Sequence, residues 1–179
     1  MKKLSLFLIA GLFVLTACGK TNTSTESSSS NNQEEVGVTL VQGENTNQSE
    51  EVTKYVEGIL KDNPNLGAED AISLNYADAT NSDGTNSDGT TTYALFLVTN
   101  RTDDTINQNF EFTVNWSYDG TVIYENQKVL YDPTECGILE PNTTAIIFIP
   151  LPDGTVETVA NMTDNSKVVL TMSDLAYVG

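Results

Sequence analysis

From Phe110 to Tyr118 the chain reads FEFTVNWSY, and every second side chain (Phe110, Phe112, Val114, Trp116, Tyr118) is large and apolar. Glu111, Thr113, Asn115 and Ser117 fill the places between them. A helix repeats every 3.6 residues and would spread those apolar groups around its circumference, whereas a strand puts them all on one face. The segment therefore predicts a strand with one buried and one wet face. Other stretches share the period. Ile72, Leu74 and Tyr76 alternate with Ser73, Asn75 and Ala77, and TYALFLVT (92–99) is apolar on both faces, as a central strand is. Further strands are expected at about 121–131, 144–150 and 167–177. Several short strands separated by turn signals predict an antiparallel β-sandwich or small barrel.

The turns have a signature of their own. Asp-Gly-Thr occurs at 83–85, 88–90, 119–121 and 153–155. Asp tolerates left-handed dihedrals, Gly takes positive φ freely, and Thr is suited to open a strand. Two of the four copies lie in NSDGTNSDGT (81–90), a pentapeptide written twice. An EF-hand calcium loop needs oxygen ligands at set positions ahead of its glycine. Aligned on Gly84, the first ligand position falls on Ala79; aligned on Gly89, it falls on Gly84. Both alignments fail, and the segment reads as a hairpin tip, where insertions are tolerated. The alternative is weak, millimolar-class calcium binding by Asp78, Asp83 and Asp88 together.

One helix is expected, at residues 50–62. Ser49 is placed to cap it, Glu50 and Glu51 suit its positive end, and Asn63-Pro64 stops it. Val52, Tyr55, Val56, Ile59 and Leu60 form one apolar stripe, which predicts packing against a sheet. Residues 19–49 are rich in Ser, Thr, Asn, Gln and Glu and read as a disordered polar tether, with a root-mean-square reach of about 30 Å. The apolar patch Val36–Val41 interrupts this composition and is a candidate docking strand.

The amino end carries an address. Lys2 and Lys3 precede an apolar run from Leu4 to Leu15, the pattern of a secretory signal and too short to span a bilayer. Leu15-Thr16-Ala17-Cys18 follows, and it resembles the lipobox of bacterial lipoproteins. The resemblance implies a signal peptide of residues 1–17, cleavage before Cys18 and a diacylglyceryl group on its sulfur. Palmitate-type acylation of the same residue would complete a durable membrane anchor. Gly19 follows that Cys, with no Asp of the kind that retains Gram-negative lipoproteins, and the long polar tether looks like that of a Gram-positive lipoprotein.

Composition narrows the chemistry. The chain of 179 residues has 8 Lys and Arg against 25 Asp and Glu, and no His. Loss of residues 1–17 takes Lys2 and Lys3 with it, leaving 6 basic side chains and a net charge of −19. Such a surface repels nucleic acid. Without His, a Ser-His-Asp or Cys-His set is impossible, and no phosphate- or dinucleotide-binding motif is present. No cofactor is expected. Paired carboxylates leave open a hydrolase of the glycosidase kind. Cys136, in TECGILEPNT, reads as a small buried hydrophobe, with an exposed reactive thiol or an intermolecular disulfide as the alternative. Trp116 shares its face with Phe110, Phe112 and Val114, which favours core packing over sugar stacking.

Residues 93–150 contain a strand ending in Val98-Thr99-Asn100, a Tyr118-Asp119-Gly120 turn, and Leu139-Glu140-Pro141-Asn142 ahead of an apolar strand. This pattern resembles the immunoglobulin-like SLAP and FxLYD modules of Gram-positive surface proteins, in which Gly commonly stands at the place of Asn142. The resemblance implies an immunoglobulin-like β-sandwich over residues 50–179, following the one helix, and a non-catalytic module of the cell envelope. Its expected partners are the membrane, through the anchor, and an envelope protein or polysaccharide. An immunity- or inhibitor-type lipoprotein that binds a protein is the other binding alternative.

Overall fold

The computed structural model describes residues 37–44, 48–82 and 91–178. Seven strands run in chain order: β1 Thr39–Val41, β2 Ile72–Ser82, β3 Thr91–Asn100, β4 Phe110–Tyr118, β5 Thr121–Tyr131, β6 Thr143–Pro150 and β7 Val168–Tyr177. They form a four-stranded sheet, β1-β6-β3-β2, and a three-stranded sheet, β5-β4-β7. The two pack face to face as a β-sandwich. Among the described residues, pairing is antiparallel except between β1 and β6.

The alternation of β4 sets the core. Phe110, Phe112, Val114 and Trp116 are all buried, and they meet Ala94, Phe96 and Val98 of β3 and Ala145, Ile147 and Ile149 of β6 in one cluster. Trp116 lies among three rings, with centroids 4.8 Å from Tyr76, 5.4 Å from Phe96 and 5.6 Å from Tyr124. Phe110 stacks on Tyr131 at 4.8 Å, and the Tyr131 hydroxyl donates to the Gly137 carbonyl at 2.6 Å. Truncating a buried aromatic of this kind costs about 3–5 kcal/mol.

A third layer lies outside the four-stranded sheet. Helix α1, Glu50–Asp62, begins where Ser49 accepts a hydrogen bond from the Val52 amide. Its stripe residues Val56, Ile59 and Leu60 bury against Leu95, Leu97 and Ile146. β3 is therefore covered on both faces, which is why TYALFLVT carries apolar residues at odd and even positions alike.

Two features depart from the sequence expectation. The folded body begins before residue 49, at the candidate docking strand within the expected tether, because Val38 is buried and Thr39–Val41 pairs in parallel with Thr143–Ala145. The apolar patch offsets the ordering cost that the surrounding composition cannot. Close packing holds the strand down: a Cβ on Gly43 would lie 2.4 Å from the backbone of Thr134 and Glu135. α1 is also joined by two short helices, α2 at Pro133–Cys136 and α3 at Val156–Ala160, and by a 3-10 turn at Asn165–Lys167. α2 has its own signals, with Asp132 capping the Thr134 amide and Pro133 at the first turn.

The described turns match their chemistry. Asp119 and Gly120 take φ of 49° and 80° in the two-residue link between paired Tyr118 and Thr121, the left-handed pair a tight hairpin requires. Asn142 takes φ of 58°, which accounts for the suitability of glycine at such a place. Asn100 explains its own position at the end of β3. Its amide donates to the carbonyls of Asp104 (2.8 Å) and Leu139 (2.9 Å), and its oxygen accepts from the Thr102 amide and hydroxyl. One side chain thereby holds the loop that leads to β4.

Candidate functional site

The polar chemistry of the described residues gathers at the seam between α1 and the edge strand β2. The simple alternation Ile72, Leu74, Tyr76 would send Asp78 into the sandwich core. A bulge prevents this. Tyr76 pairs with Phe96 and Asp78 with Leu95, so Ala77 is an extra residue. From that point the phase is reversed. Asp78 shares the outer face with Leu95 and Leu97, and Ala79 takes the inward place.

Asp78 is half-buried there, and its carboxylate accepts from the Ala79 amide at 2.7 Å. Burial pushes its carboxyl above the usual aspartate range, against the opposing effects of the Ala79 amide and the Tyr55 hydroxyl. Tyr55, on α1, donates its hydroxyl to the Ala77 carbonyl at 3.3 Å. Burial, and then the charge of Asp78, push its phenol up to about 12. Tyr76 lies on the inner side of the bulge and is raised for the same two reasons in the same order. The charge of Asp78 thus disfavours ionisation of both phenols, while the Tyr55 hydroxyl favours the Asp78 carboxylate.

Beside Asp78 on the outer face stand Ser73 and Asn75, opposite Thr99 and Leu97. Asn75 is 2 % exposed, yet neither its Oδ1 nor its Nδ2 has a hydrogen-bond partner, and Ser73 Oγ is also unpartnered. Thr99 and Thr144 continue the row and satisfy each other at 2.9 Å. The alternation in β2 marks Ser73 and Asn75 as wet-face residues, and this is where the sequence reading misses them. The signal that could have found them is in the next strand: a sheet whose β3 is apolar on both faces has no wet face beside it.

The other expected residues fall elsewhere. Cys18, Asp83 and Asp88 lie outside the described residues, as do the leader and most of the expected tether. The first two residues of the repeat, Asn81 and Ser82, are register partners of Thr92 and Thr91 in the β2–β3 hairpin. Among the described residues no three of Cys, Asp and Glu stand together as a metal-binding group. Cys136 ends α2 as a free, half-buried thiol packed against the main core, and burial pushes its pKa up, away from the reactive thiolate. Trp116 is 1 % exposed and presents no ring face to a sugar. Asp119 pairs with Lys167 across the surface at 2.9 Å. Among the described residues no helix is long and apolar enough to cross a membrane.

Comparison with known proteins leaves the chain on its own: no family model, curated protein or solved structure matches it.

Proposed function

We propose that this is a lipoprotein anchored to the extracytoplasmic face of a bacterial, Gram-positive cell membrane through Cys18, acting as a non-enzymatic binding or structural module of the envelope. The observation that carries the reading is the leader: a basic n-region, an apolar run and Leu15-Thr16-Ala17-Cys18, followed by a long polar stretch. A sandwich whose aromatic residues serve the core fits a module that presents surface rather than reacting groups. Immunoglobulin-like descent is part of the proposal. It is supported by the Asn100 staple and by the left-handed Asn142 at the place where the SLAP and FxLYD pattern carries Gly.

Cells grown with labelled palmitate are expected to transfer label to the wild-type chain and not to a Cys18→Ala variant, and the wild type is expected in the membrane fraction. Label on the variant, or a wild-type chain recovered from cytosol with its leader intact, overturns the anchor. Cross-linking of the anchored chain in intact cells then reads the module's role. Capture of envelope protein or polysaccharide supports binding, and turnover of an envelope glycan by the purified chain replaces the proposal with the hydrolase.

A further inference from the structure

The two apolar clusters among the described residues are unequal. Between the sheets, twenty buried residues form one core. Under α1 there are eight, including Val56, Ile59 and Leu60 from the helix against Leu95, Leu97 and Ile146 from the sheet. The outer cluster borders buried polar atoms without partners, both amide atoms of Asn75 and the hydroxyl of Ser73. Gly67, in the loop after α1, lies directly over that hydroxyl, since a Cβ there would fall 2.5 Å from Ser73 Oγ. Burying a polar group without a partner forfeits its hydration, and water restores it on exposure. The half-buried carboxylate of Asp78 gains in the same way. Apolar contact thus closes the seam while three polar side chains favour its opening. The inner core has one comparable orphan, Trp116 Nε1, but the other atoms of that ring are in aromatic contact on several sides.

We propose that α1 and the loop after it form a displaceable cover, which lifts from the outer face of the β6-β3-β2 sheet as a unit while the sandwich stays folded. The cover is held near its start by the Gln42 side-chain amide, which donates to Thr53 Oγ1 at 2.9 Å, at its middle by the Tyr55–Ala77 hydrogen bond, and in its loop by the Val38 amide, which donates to the Pro64 carbonyl at 2.8 Å. Lifting it uncovers Leu95, Leu97 and Ile146 and rehydrates Ser73 and Asn75. β1 precedes the cover in the chain and pairs with β6, so that pairing anchors the amino-terminal side of the cover to the sheet. Sub-global opening of this kind follows from few apolar contacts set against unsatisfied polar groups.

Hydrogen exchange on the full chain in mild detergent tests it, with the emission of the sole Trp, Trp116, reporting the folded sandwich. While that emission stays native, the amides of Val56–Leu60 are expected to exchange at least about tenfold faster than those of Phe96–Val98 and Phe112–Val114. Asn75→Leu removes the orphan and is expected to slow exchange in the helix by about tenfold. Should that variant not fold, Ser73→Ala is expected to slow the helix in the same direction. Helix amides that exchange at the rate of the core strands, or that ignore the substitution in a folded variant, overturn the cover.

Discussion

Asp78 shows how one residue inserted into a strand changes what its neighbours do. Period-two reading aims it at the core, and the bulge at Ala77 turns it to the helix seam. A carboxyl whose folded pKa is raised stabilises the fold fully below the ordinary aspartate value, where it is neutral in the folded and unfolded chain alike. That contribution is lost as pH rises through the folded value, because the seam must then hold a charge. Asp78→Asn is therefore expected to raise the urea midpoint at pH 7, with the gain shrinking toward pH 4. A gain that is constant with pH, or a loss, would show that the carboxyl is not the cause. Asn142 and Asn126 are the quieter cases. Both hold left-handed backbone, at φ of 58° and 51°, which Asn accepts better than other residues with a Cβ.

At the scale of elements, the edges need the most explanation. A sandwich ends in strands that could pair with other chains. Here β1 has three residues, β2 is broken at Ala77, β5 shifts register on either side of Trp116, and β7 shifts opposite Phe112 with Asp174 at φ of 53°. Each described edge is thus short or bent, and a flat partner strand finds no long template. β1 depends on its glycine. Gly43→Val would drive side-chain atoms into the backbone of α2, at a cost of about 1–3 kcal/mol that a three-residue strand cannot offset. Limited proteolysis is expected to open a new cut within residues 37–44 of that variant, while the Trp116 emission stays native. A cleavage map like that of the wild type would show that β1 is held by other means.

For the whole molecule, charge and layering matter most. The chain carries a net charge of −17, and its described ion pairs are Lys54–Glu50 and Lys167–Asp119, both on the surface, where a pair contributes about 0–1 kcal/mol. Self-repulsion therefore outweighs local attraction. Screening lengths fall from about 30 Å at 10 mM salt to about 8 Å at 150 mM. The urea midpoint is expected to rise over that range of sodium chloride, and a fall would mean that local attractions, not repulsion, dominate the surface. Three layers also set what is exposed. The outer face of the four-stranded sheet is covered by α1, and the outer face of β4 is less wet than its alternation predicts, since Glu111, Asn115 and Ser117 are half-buried and Thr113 is buried.

The sequence alone determined most of the elements, the short helices α2 and α3 and the 3-10 turn apart. The strand at Phe110–Tyr118, the helix at 50–62 with its Ser49 cap, the later strands to within a residue and the Asp119-Gly120 hairpin all follow from period, capping and turn chemistry, which act over a few residues. Tertiary structure decided which faces those elements cover. β1 docks on β6, the bulge re-aims Asp78, and α1 with the loop at Gly67 packs on the sheet face that holds Ser73 and Asn75, turning a face that alternation marks as wet into a buried one. Those outcomes depend on groups far apart in the chain meeting at one surface, and a local pattern records a side chain's direction but not what arrives to cover it.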